Sequence, residues 1–157
     1  VNSTDIFEKI IISRGCGTVH LAIQEKPENT KWETLVFANL VKNNISIKDF
    51  IASLIRLNRD EARVILAELL NKDMAYEAEL MPFDKANKFA NEFCSLFSEQ
   101  AFFLSNSSWK TNRNYDISDN SKLNFESWTP LTEATFDSGI IVCDIDKVGI
   151  AWFEDED

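Results

Sequence analysis

Two apolar runs near the C-terminus, Ile140 to Ile145 and Val148 to Phe153, constrain the fold more than any other stretch. Both are rich in β-branched and aromatic residues and too short for ordinary helices. Asp146-Lys147 separates them, so the spacing predicts a β-hairpin turning at that pair. Four consecutive acids follow, Glu154-Asp155-Glu156-Asp157, and read as a solvated acidic tail (154–157) on the hairpin. The rest of the chain is expected to pack onto these two strands.

A core large enough to bury them is available. Of 157 residues 45% are apolar, twelve are Phe, and Gly and Pro number only four and three. That balance belongs to a single globular domain, 1–157, and not to a disordered or fibrous chain. No apolar run approaches the roughly 18 residues of a membrane span. The first residues lack a secretory leader's basic-then-apolar layout, so a soluble cytoplasmic protein is expected. Cys16, Cys94 and Cys143 are odd in number and show no CxxC spacing, which argues against a disulfide framework and a thiolate zinc site. Cys94 and Cys143 lie in apolar surroundings and read as small core residues.

The net charge is −10, and in residues 122–157 nine acids stand against Lys122 and Lys147 alone. Such a chain repels phosphate. It is a poor binder of nucleic acid or an anionic membrane, and it suits a basic protein partner.

Along the chain, Ile6, Phe7, Ile10 and Ile11 favour a helix over 4–13 ending near Gly15, with a strand through 10–12 as the alternative. Val19, Leu21 and Ile23 alternate with polar or small residues, which predicts a strand over 18–24. Thr30 with Glu33 forms a capping-box pattern before an apolar run to Val41. Ser46 with Asp49 precedes the stripe Ile47, Phe50, Ile51, Leu54 and Ile55, and Asn58 with Glu61 precedes Ala62, Ile65, Leu66, Leu69 and Leu70. These two helices are expected to pack on each other. The charges on their exposed faces nearly cancel, unlike those of a DNA reader. Further strands are expected at 74–80 and 101–104, with a helix between them that starts at Pro82 and Asp84 and carries Phe89, Phe93 and Phe97. Residues 105–127 turn to Ser, Asn, Asp and Thr and read as a long polar loop. The fold class is therefore α+β: four or five helices packed on one side of a mostly antiparallel sheet that ends in a C-terminal β-hairpin.

No catalytic set emerges. His20 is the only histidine, it falls on the wet phase of its strand, and no nucleophile pattern accompanies it. The four glycines form no phosphate-binding loop. The nearest thing to an enzyme pattern is Asp137, Asp144 and Asp146 with Lys147, which resembles the carboxylates of metal-dependent phosphodiester hydrolases. Those sites want acid and lysine two apart on one strand face, whereas Asp146 and Lys147 are adjacent. No cofactor and no metal are expected.

The aromatic-then-acidic ending Trp152-Phe153-Glu154-Asp155-Glu156-Asp157, with the small size, the acidity and the lack of catalytic motifs, resembles the bacterial immunity proteins that neutralise secreted toxins. The resemblance implies an inhibitor that docks a basic, nuclease-type toxin domain and gains a fast on-rate from electrostatic steering. The candidate docking residues are Trp109, Trp128, Asp144, Asp146, Trp152, Glu154, Asp155, Glu156 and Asp157, where large aromatics stand beside acids.

Overall fold

The computed structural model of the chain describes residues 2–111 and 123–157, the side chains of 108–111 and 123–127 excepted. Its elements are α1 (Ser3–Arg14), β1 (Thr18–Glu25), α2 (Trp32–Leu40), α3 (Ile47–Ser53), β2 (Ile55–Leu57), α4 (Arg59–Asn71), α5 (Phe83–Cys94), β3 (Phe102–Ser105), β4 (Ser107–Thr111), β5 (Leu123–Trp128), β6 (Phe136–Cys143) and β7 (Lys147–Asp155). The class is α+β. A five-stranded sheet runs β1-β7-β6-β3-β2 with every neighbour antiparallel, beside a two-stranded β4-β5 sheet. Among the described residues no helix is long and apolar enough to cross a membrane.

The C-terminal hairpin forms and lies inside the sheet, between β1 and β3. β6 and β7 pair from Phe136↔Asp155 to Cys143↔Val148. The reversal falls on residues 144–146, closed by the Asp144 N–H donating to the Lys147 carbonyl at 2.9 Å. Lys147, expected in the turn, instead opens β7.

Successive strand residues point to opposite faces, and here both faces are apolar. Ile140, Val142, Ala151 and Phe153 pack with Ile6 and Ile10 of α1, Leu66 and Leu69 of α4 and Phe93 of α5. Ile141, Val148, Ile150 and Trp152 pack with Val36 and Leu40 of α2 and Phe50 of α3. The expectation that all helices share one side is thus corrected, with three on one face and two on the other. Antiparallel sheets often leave one face to water, but two adjacent strands that are apolar at nearly every position need cover on both. Gly149 fits the same logic, since the Phe97 ring occupies the place where a Cβ would stand.

Local signals explain the starts of α3 and α4. α4 has a full capping box, with the Glu61 N–H donating to Asn58 Oδ1 at 2.8 Å and the Asn58 N–H to Glu61 Oε1 at 2.9 Å. Ser46 Oγ accepts from the Asp49 N–H at the head of α3. At Thr30 the pattern misleads: the Thr30 N–H closes a turn onto the Pro27 carbonyl, and α2 starts behind Lys31, whose side chain makes no capping bond. α3 and α4 do not pack as a pair. Leu54 ends α3, and β2 pairs with β3 at the sheet edge, between α3 on one face and α4 on the other.

Three further expectations change. Residues 74–80 form a turn and not a strand, because the Asp73 carboxylate accepts the N–H groups of Tyr76 and Ala78 at 3.0 and 2.7 Å and Glu77 takes φ 56°. The polar stretch 105–127 contains β4 and β5, paired from Ser107↔Trp128 to Thr111↔Leu123, while its part 112–122 lies outside the described residues. The tail expected at 154–157 is half strand, since β7 continues through Asp155.

Asp155 is 2% exposed and meets the buried Arg14 of α1 in a two-pronged ion pair, Nη1 to Oδ1 at 2.9 Å and Nη2 to Oδ2 at 2.8 Å. The Met74 N–H donates to the same carboxylate at 2.9 Å, and Arg14 Nε donates to the Leu69 carbonyl at 2.9 Å. Gly17, at φ 65°, passes so close that any Cβ would strike Asp155 and the Glu154 carbonyl. One ion pair thereby ties α1, α4, the 72–79 turn and the end of β7.

Two stability predictions follow from these contacts. Arg14→Met should cost about 3–5 kcal/mol in urea denaturation by stranding a buried carboxylate, and Arg14→Met with Asp155→Leu should recover part of the loss. A cost below about 1 kcal/mol for the single change would deny the pair its role. The second concerns Glu68 of α4, whose carboxyl is pushed up to about 7 by burial, with Glu77 adding to the rise and Lys72 opposing it. The folded chain then keeps a proton that the unfolded chain releases near 4.5, so stability falls as pH rises between those values. Glu68→Gln should flatten that slope and raise the melting midpoint at pH 8 relative to the parent; parallel profiles would contradict the assignment.

Candidate functional site

The acids and tryptophans singled out in the sequence fall into two groups. Trp152 is fully buried, and its indole Nε1 donates to Asp137 Oδ1 at 3.1 Å. Asp155 is the internal partner of Arg14. Neither offers a surface to a partner in this fold, and both are removed from the docking set. Phase explains both: Trp152 follows Val148 and Ile150 onto one covered face, while Asp155 follows Ala151 and Phe153 onto the other.

Asp137 sits at the centre of a buried polar network. Its carboxylate also accepts from the Leu131 N–H at 3.1 Å, the Thr132 N–H at 3.2 Å and Thr132 Oγ1 at 3.1 Å. Asn106 Nδ2 donates to it at 3.2 Å, and Asn106 Oδ1 accepts from the hydroxyls of Ser107 and Ser138, both at 2.9 Å. Burial holds the Asp137 carboxyl above the ordinary aspartate range, and these donors offset only part of that rise. The network fastens the 129–135 segment and the β3–β4 junction to the hairpin.

Asp144 is 7% exposed and caps the stretch after α5, accepting the Ser98 N–H at 2.7 Å and the Ser98 hydroxyl at 2.5 Å. Burial pushes its carboxyl up, but the Ser98 and Ile145 donors outweigh this and bring it below the usual value. Asp137 lies near the start of β6 and Asp144 just past its end, so a rise of roughly 3.3 Å per residue places them about 23 Å apart. The carboxylates of the hydrolase alternative therefore do not converge. Among the described residues no group of three or more His, Cys, Asp or Glu could hold a metal ion.

What remains at the surface is an acidic end and one isolated acid. Glu154 is half-buried and bonded to His20 Nε2. Glu156 is exposed, takes the Thr135 N–H at 3.2 Å and bonds the Thr135 hydroxyl, and Asp157 beside it is exposed. Asp146 is exposed at the opposite end of β7. Trp128 is half-buried with its ring 5.3 Å from that of Phe136. The side chain of Trp109 lies outside the described residues.

The sequence reading missed a groove of about 620 Å³ between the start of α2 and α3, walled by Trp32, Ile47 and Ile51 with Lys26, Lys31 and Glu33. Of the α3 stripe only Phe50 is fully buried, against Phe37 at 5.6 Å; Ile47 and Ile51 stay 40% and 43% exposed. The stripe marks which face of α3 is apolar and leaves unsaid what covers it.

Burial pushes Cys94 and Cys143 up to about 12 and also raises Cys16, and all three are free. No protein-family model matches the chain, and no curated protein and no solved structure shows significant similarity to it.

Proposed function

We propose that the chain acts by docking to another protein and blocking it, as an inhibitor of the immunity type that neutralises a basic, nuclease-like toxin domain in a bacterial cytoplasm. The observation that supports this reading is where the negative charge resides. Of the acids with described side chains only Asp73, Asp137, Asp144 and Asp155 are buried; the others reach solvent and carry the excess behind a net charge of −10. An excess held at the surface attracts a cationic partner from a distance and speeds its encounter, whereas acids consumed internally would not.

Glu154, Glu156 and Asp157, at one end of the sheet, form the contact end in this reading. Glu154 and Glu156 are held by His20 and Thr135, so they lose little side-chain freedom on binding. The free thiols suit a reducing compartment. The hydrolase alternative loses its support because Asp137, Asp144 and Asp146 are spread along the hairpin and two of them are spent on internal hydrogen bonds.

Stopped-flow association with a basic toxin domain encoded beside this chain tests the proposal. Glu154→Gln, Glu156→Gln and Asp157→Asn together should slow association about tenfold at low salt and flatten its ionic-strength dependence. The proposal fails if no such domain binds, or if the rate and its salt dependence are unchanged.

A further inference from the structure

The groove between α2 and α3 sets apolar side chains beside basic ones in an acidic chain. Its walls expose Ile47 and Ile51 at 40% and 43%, with Trp32 half-buried beside them. Single exposed isoleucines are ordinary; two lining one trough beside a tryptophan make an apolar patch of the kind that marks interfaces. The trough is open, which suits a chain segment better than an enclosed metabolite.

Its charge is the second observation. In a chain of net charge −10, the ionisable groups of this groove are Lys26, Lys31 and Glu33. Arg56 adjoins them, its guanidinium 4.0 Å from the centroid of the Phe102 ring, which itself meets Trp32 edge-on at 6.0 Å. Asp146 lies close by, its carbonyl accepting the Lys26 N–H at 2.8 Å, and Glu99 lines the adjoining cleft with Arg56. Within the groove's own lining two lysines stand against Glu33, a local positive excess next to apolar side chains. Stacking on Phe102 also fixes the Arg56 guanidinium ahead of any binding event.

We propose that this groove docks an acidic segment of a second protein, which seats a Leu, Ile or Phe side chain among Trp32, Ile47 and Ile51 and sets Glu or Asp against Lys26, Lys31 and Arg56. The site lies at the opposite end of β1 from Glu154, which pairs with Thr18, and takes a partner segment of opposite charge. It stands independently of the inhibitor reading. Specificity arises from the pairing of both features, because an acidic segment without an apolar anchor is screened by salt and an apolar one without acids gains nothing from the lysines.

Fluorescence anisotropy with a short fluorescein-labelled peptide in which Glu alternates with Leu and Phe tests the proposal on the full chain. The expected result is saturable binding that weakens about tenfold or more with Lys26→Glu plus Lys31→Glu, and again with Ile51→Asp. Lys88→Glu, on the exposed side of α5, should leave affinity within about twofold, and the same peptide with Lys for Glu should not bind. Far-ultraviolet circular dichroism and the melting midpoint establish that each variant is folded. If a folded Lys26→Glu, Lys31→Glu variant fails to weaken binding, Ile51→Asp supplies an independent reading of the same groove, and an unchanged affinity in both overturns the proposal. So does the absence of saturable binding, equal binding of the Lys peptide, or an equal loss in Lys88→Glu, which would mean general charge attraction.

Discussion

Strand β7 is stable only where apolar matter covers both of its faces, because Val148, Ile150 and Trp152 point one way while Ala151 and Phe153 point the other. Everything else in the structure answers that demand. α1, α4 and α5 supply one cover, α2 and α3 the other, and β1 and β6 occupy its two edges. At roughly 25 cal/mol per Å² of apolar surface removed from water, a fully buried Trp and Phe on adjacent positions are among the largest single contributions available to a domain of this size.

Burying the hairpin on both sides also buries polar groups near its ends, and each is answered by a specific partner. Asp155 has Arg14 and the Met74 N–H, Asp144 has Ser98, and Asp137 has Leu131, Thr132, Asn106 and Trp152. A buried carboxylate without such partners would cost several kcal/mol. These residues therefore hold connecting segments onto the sheet.

The hairpin, the α+β class and the capping of α3 and α4 were legible because each rests on residues close together in sequence. Asn58 and Glu61 are three apart and cap one another wherever the helix goes. The two-sided cover was not anticipated, although its signal is in the chain: Ile140-Ile141-Val142-Cys143 is apolar at every position, where a half-wet strand would alternate. The fate of the final acids was not legible. Asp155 looks like any other acid of a solvated run until Arg14, 141 residues away, is brought against it. The groove at Trp32 escaped for a related reason, since spacing reveals that Ile47 and Ile51 share a face with Phe50 but not that α2 covers Phe50 alone.

Removing the internal acids from consideration sharpens the surface that is left. Of the docking residues nominated from sequence, those described at the surface are Glu154, Glu156 and Asp157 at one end, an isolated Asp146, and Trp128 packed on Phe136, while the Trp109 side chain lies outside the described residues. A basic, apolar groove at the other end of β1 joins them. Both rest on the claim that β7 through Asp155 is the spine of the fold. Native-state hydrogen exchange tests that claim most directly. The amides of Ile150 to Phe153 should exchange only at the free energy of global unfolding, with Asp155 far slower than Asp157. Fast exchange from Phe153 onward, at the rate of a frayed terminus, would contradict it.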